Sequence, residues 1–167
     1  MNRLYFLFLF LLISCSNSNQ IGVVKNSDNR SLKLVTFINE YVDENYKTLD
    51  SIFSDSVHLN LNNRLYKGIL KLEDGLELYH QIYSEISIDS QFLCTFYLDD
   101  GSIKTFQKVN FITKNKITRN VGSIRSFFEY KWSDGYVVEL SVVFDSEILN
   151  KEEKLYKNSL KNKPIGN

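Results

Sequence analysis

The sequence predicts an α+β domain, a curved antiparallel sheet wrapped on helices that precede it in the chain. Three observations carry this reading. Apolar residues recur with a helical period in two stretches of the first half, then alternate with a strand period from Gln91 onward. The pairs Asp100-Gly101 and Asp134-Gly135 interrupt the alternating region, and such pairs favour tight hairpin turns. The chain is 14% aromatic, with Phe 12 and Tyr 10 against Pro 1. That balance suits sheets with broad apolar faces.

Size and charge bound the rest. With 167 residues, 43% hydrophobic and 24% charged, the chain has room for one domain. This composition excludes a disordered protein, a collagen, a coiled coil and a disulfide-dense miniprotein. Lys+Arg and Asp+Glu are both 20, so no basic field exists to draw nucleic acid by counterion release.

At the N-terminus Arg3 precedes the unbroken apolar run Leu4 to Ile13. A helix of that length spans about 15 Å, half of the roughly 30 Å of bilayer hydrocarbon. It therefore reads as a secretory signal core. Leu12-Ile13-Ser14-Cys15 follows and resembles the lipobox of bacterial lipoproteins. The resemblance implies cleavage after residue 14, diacylation of Cys15 and acylation of the new terminus. Insertion of several acyl chains would anchor the chain to a membrane. Ser16 resembles the residue that sorts such proteins outward, which favours the outer membrane. Residues 15–30 are mostly small and polar and read as a flexible tether.

The domain is expected over residues 31–149. Leu34, Ile38, Tyr41 and Val42 form one helical face. Thr48 can cap a short helix from Leu49 to Phe53. Val57 to Leu61 alternates as a half-buried strand, Asn62-Asn63 turns it, and Lys67-Gly68 closes that hairpin region. Leu72, Leu76, Tyr79, Tyr83 and Ile86 recur at helical spacing, predicting a helix from Leu70 to Ile86. Gly75 inside it costs about 1 kcal/mol against Ala. The strands that follow present Phe92, Cys94, Phe96 and Leu98, then Ile103, Val109 and Phe111, each set on one face. In the next, Ile124, Ser126, Phe128, Tyr130 and Trp132 oppose Arg125, Phe127, Glu129 and Lys131. Tyr136, Val138, Leu140, Val142 and Phe144 form the last. Residues 150–167 read as a polar tail, with a short frayed helix ending before Pro164 and lysines that suit a solvated surface better than a lipid patch.

The order of these elements resembles the nuclear transport factor 2-like superfamily, in its SnoaL-like branch. Leu49 to Val57, Tyr66-Lys67-Gly68, Tyr97 to Gly101, Tyr130 to Val137 and Phe144-Asp145 look like its local patterns in the family's order. The resemblance covers Ser31 to Leu149 and implies a cone-shaped, cystatin-like α+β barrel with a pocket at its open end. It also implies that the outer sheet face, here Arg125, Phe127, Glu129 and Lys131, often forms a homodimer. Isomerase-like members place a catalytic carboxylate where this chain has Asn60 or Leu61, and no counterpart of the hydrolase-like Asp-Arg-Asp set is found.

The acid–base candidates are therefore few. His80 could point into the cone as a base, or flank it as a surface histidine. Tyr41 could donate from the first helix to a ligand, or be a core tyrosine with a satisfied hydroxyl. His58 points off the apolar face. Tyr79, Tyr83, Phe128 and Trp132 would join Tyr41 as a binding wall. Cys94 reads as a small buried hydrophobe without a disulfide partner. No metal is expected, because two His and one spare Cys lack ligand spacing. No cofactor is expected either, because the glycines make no phosphate loop. The first functional reading is a lipid-anchored protein binding a small hydrophobic ligand or a partner protein without catalysis. The alternative is an isomerase-, cyclase- or dehydratase-like enzyme acting on a hydrophobic small molecule.

Overall fold

The computed structural model describes residues 22–25 and 27–161. The expected signal peptide, the lipobox-like segment with Cys15 and the first part of the expected tether lie outside the described residues. The elements run β1 (Val23–Lys25), α1 (Asn29–Val42), α2 (Leu49–Ile52), β2 (Phe53–Leu61), β3 (Arg64–Lys67), α3 (Ile69–Ile82), β4 (Tyr83–Tyr97), β5 (Ile103–Asn115), β6 (Val121–Ser133), β7 (Tyr136–Phe144) and α4 (Ser146–Lys161).

The α+β class holds, and the sheet is refined in two ways. It is one seven-stranded sheet in the order β1-β4-β5-β6-β7-β2-β3, curved but not closed. It is also mixed, because β2 pairs parallel with β7 while every other pairing is antiparallel. The parallel pairing joins strands far apart in sequence, a relation that local patterns do not encode.

Helix α1 lays Leu34, Phe37, Ile38 and Tyr41 on the concave face, all buried. The period-2 pattern of β5 and β6 supplies the opposing wall with Val109, Phe111, Ile124, Tyr130 and Trp132. This face is not wholly apolar. Ser31 Oγ, Thr95 Oγ1 and Thr105 Oγ1 form a chain of hydrogen bonds at 2.9 and 2.8 Å, and Trp132 Nε1 donates to Thr105 at 3.0 Å. Tyr130, fully buried, donates to Gln107 Oε1 at 2.7 Å. Each of these buried polar groups thus finds a partner in an adjacent strand or helix.

Several expected boundaries move. The end of the tether is structured: β1 pairs with β4, and Asp28 caps α1 by accepting from the Arg30 amide at 2.9 Å. Thr48 does not cap α2 through its side chain; its hydroxyl donates instead to Glu40 at 2.7 Å. Helix α3 stops at Ile82, and Tyr83 and Ile86 belong to β4. Both residues fit the helical spacing because helix and strand present the same side to the same interior. On β4 the inward residues are Leu93, Thr95 and Tyr97, while Phe92 is 62% exposed on the outer face. A register shift between Lys131 and Trp132 turns Val137 inward and leaves Tyr136 exposed. Helix α4 crosses the expected boundary at residue 149, buries Leu149 and lays Tyr156 against the core.

Asp28 is the best-connected end cap. It accepts from the Tyr97 hydroxyl and lies 3.7 Å from the Arg30 guanidinium. Burial opposes its charge, but the Tyr97 and Arg30 hydrogen bonds and the Arg30 and Lys25 charges outweigh it, so its carboxyl sits below its ordinary value. Asp28→Ala is expected to lower urea stability by about 1–2 kcal/mol at neutral pH, and Asp28→Asn by less, since Asn also caps. A lowered folded pKa stabilises above the unfolded value and is lost as pH falls below it. The gap between wild type and Asp28→Asn should therefore close as pH drops below about 4, and a gap that persists in acid would contradict this.

Candidate functional site

The concave side of the sheet, α1 and α3 enclose a cavity of about 100 Å³. Tyr41 reaches it from α1, Tyr79 from α3, Tyr83 from the first residue of β4 and Phe128 from β6. The remaining wall is aliphatic or aromatic apart from Thr113 and Ser126. The sequence pattern places Ser126 on the inner face of its strand without marking it as a lining residue, and it leaves Thr113 unmarked although its strand parity with Phe111 turns it inward. Water occupies about 30 Å³ per molecule in the liquid, so the cavity holds about three water volumes. It suits a short apolar group rather than the ligands that fill pockets of roughly 300–1,000 Å³.

Four phenols, Tyr41, Tyr79, Tyr83 and Tyr130, join the Thr113 and Ser126 hydroxyls as the polar groups of this wall. Burial pushes the Tyr41 hydroxyl well above its ordinary value, with Tyr79 and Tyr46 adding to the effect. Tyr79 is pushed up to about 12 by burial and then by the Glu153 charge. Neither hydroxyl has a hydrogen-bond partner among the described residues, leaving both able to donate to a ligand. Tyr83 differs, because its hydroxyl donates to Glu152 of α4. Burial and that carboxylate both raise its pKa. This contact ties α4 to the junction of α3 and β4.

His80 does not enter the cone. Its Nε2 lies 2.7 Å from the Tyr41 carbonyl oxygen and donates to it, and its ring stands edge-on to Tyr41 with centroids 5.0 Å apart. The imidazole secures the C-terminal end of α1, a position that suits a donor. Trp132 is not part of the cavity wall either. The Thr105 bond and the Arg30 guanidinium, 5.8 Å from its ring, hold it at another part of the core. His58 is exposed between buried Val57 and Leu59, as its alternation implies. Leu61 lines the cavity, and Asn60, one residue away on the strand, faces the other side. Neither candidate position therefore brings a carboxylate to the interior. No His, Cys, Asp or Glu is among the lining residues, and among the described residues no three such side chains cluster as metal ligands. Cys94 is buried, and burial raises its thiol.

A groove of about 420 Å³ adjoins the cavity. Leu61, Gly75, Tyr79, Phe144 and Leu149 line both spaces. The groove is more polar, with Arg64, Lys71, Asp74 and Glu153 on its walls.

No protein-family model matches the sequence, and no curated protein matches it. Solved structures match the fold. A nuclear transport factor 2-like protein from Burkholderia xenovorans superposes with a TM-score of 0.59 at 12% identity, covering 77% of this chain and 99% of its own. A SnoaL-like polyketide cyclase from Agrobacterium tumefaciens gives 0.58 at 11% identity, covering 75% and 98%. TerC, co-crystallised with polyporic acid, gives 0.56 at 8% identity, covering 76% and 99%. The chain has the fold shared by SnoaL-like and nuclear transport factor 2-like proteins.

His80→Ala is expected to lower urea stability by about 1 kcal/mol, the worth of one net hydrogen bond, and to leave small-ligand binding unchanged in titration. Loss of binding without loss of stability would return His80 to the site.

Proposed function

We propose that this chain is a lipoprotein, anchored through Cys15 outside the cytoplasm, whose SnoaL-like cone binds a small apolar ligand. The observation that carries the binding reading is the apolar cavity whose free polar groups include the unpartnered hydroxyls of Tyr41 and Tyr79. An apolar site with a few orienting donors suits recognition. The rival reading, an isomerase-, cyclase- or dehydratase-like enzyme, needs an acid or base that titrates near neutrality. The cavity's phenols are shifted away from that range, which favours binding without catalysis. TerC, co-crystallised with polyporic acid, lends a fold-level analogy.

A second copy on the outer sheet face belongs to the same proposal. Phe92, Lys108, Phe127 and Val143 lie side by side across β4, β5, β6 and β7, with Phe92, Phe127 and Val143 at least half exposed. Three exposed apolar side chains around Lys108, flanked by the Lys104–Glu129 and Lys131–Glu139 pairs, suit an interface core with a polar rim.

Native mass spectrometry of the full chain from its own host tests all three parts. The expected result is an acyl mass on Cys15, a retained small molecule and a dimer. Ile124→Phe, which fills the cavity, should release the small molecule while the dimer survives. An unmodified Cys15 would overturn the anchor, a ligand-free mass the binding reading, and a monomer the interface.

A further inference from the structure

Gly75 sits in the middle of α3, where glycine weakens a helix relative to alanine. Its backbone is not in the left-handed region, so conformation does not require it. Close packing does not require it either, because a Cβ built there meets nothing within 4 Å. What the missing side chain leaves is open space, and that space lies where the inner cavity meets the groove.

The two compartments differ in chemistry. The inner one is apolar. In the groove, Lys71 is neutralised by Asp74 at 2.8 Å, and Glu153 is engaged by Lys157. Glu152, on the adjoining turn of α4, accepts from Tyr83. Arg64 lines the same groove with no carboxylate partner among the described residues. Its planar fork of donors fits a carboxylate or phosphate.

We infer that the ligand is an anionic amphiphile, its short apolar part in the cone, its stem passing Gly75 and its anionic head on Arg64. This inference rests on the proposed binding function and names the ligand class. The inner cavity of about 100 Å³ is too small to enclose a whole amphiphile, and the adjoining groove of about 420 Å³ gives the head a place in solvent reach.

The test is ligand-observed NMR titration of the full chain in lipid nanodiscs, with empty nanodiscs subtracted. The probes are hexanoate, hexanol and hexylamine, which share a tail and differ in charge. Hexanoate is expected to bind about two- to fivefold tighter than hexanol, the upper range a solvent-accessible charge pair supplies. Arg64→Gln should bring hexanoate to the hexanol level and leave hexanol unchanged. Gly75→Leu should weaken both probes while its urea midpoint stays at or above wild type, which separates a blocked passage from a misfolded chain. Equal binding of hexanoate and hexanol, with Arg64→Gln silent, would overturn the anionic head and leave the cavity reading standing. Tightest binding by hexylamine would also overturn it. Unchanged binding in Gly75→Leu would remove the passage. Binding of none of the three would overturn the cavity reading and this inference together.

Discussion

Everything in this fold depends on covering the concave face of a sheet that does not close. A curved sheet with one solvated side must bury the other, and here α1 does most of that work. Leu34, Phe37, Ile38 and Tyr41 meet Phe111 and Tyr130 across the interior, with Phe37 and Tyr41 packed edge-on against Phe53 and Phe111. Each such side chain contributes about 2 kcal/mol by burial, so the helix cannot leave without unfolding the domain. The Asp28 cap and the Ser31 hydroxyl fix where α1 begins, and His80 fixes where it ends.

The cavity follows from this coverage. Helices α1 and α3 close the wall beside β4 and β5, but α3 carries glycine where a larger residue would extend the cover. Helix α4 comes last in the chain and covers the remaining side through Leu149, Tyr156 and the Glu152 contact to Tyr83. The interior is thus sealed by a packed helix on one side and by a sparsely attached one on the other.

Much of this was legible in the sequence, and the exceptions share a cause. Strands β5 and β6 were readable because their inward residues alternate without interruption. The turn at Asp134-Gly135 was readable because both residues take positive φ, at 50° and 84°. Tyr83 and Ile86 misled because a helix running directly into a strand keeps one side facing inward, so two periods agree over a few residues. Phe92, Cys94 and Phe96 look like the face that meets the helices, yet they take the opposite face of the strand, Phe92 exposed and Cys94 buried, because Thr95, which seems the worse core residue, is satisfied by Ser31 and Thr105. Polar residues read as exposed only until their partners are known, and these partners sit far away in sequence. The site shows the same limit. Periodicity turns Tyr41, Tyr79, Tyr83 and Phe128 inward, where they line the cavity, whereas His80 and Trp132 turn toward hydrogen-bond acceptors that no local pattern reveals.

The parallel pairing of β2 with β7 also orders events in time. Strands β4 to β7 are joined by short turns and can zip as successive hairpins. The β2–β3 hairpin must then return across most of the domain to pair with β7. Closing so long a loop is slow, and until it closes β7 presents unpaired backbone beside Val137, Leu140 and Val142. An open strand edge flanked by apolar residues is a template for pairing with another nascent chain. The late docking of β2 therefore sets the interval during which this protein is most vulnerable to aggregation.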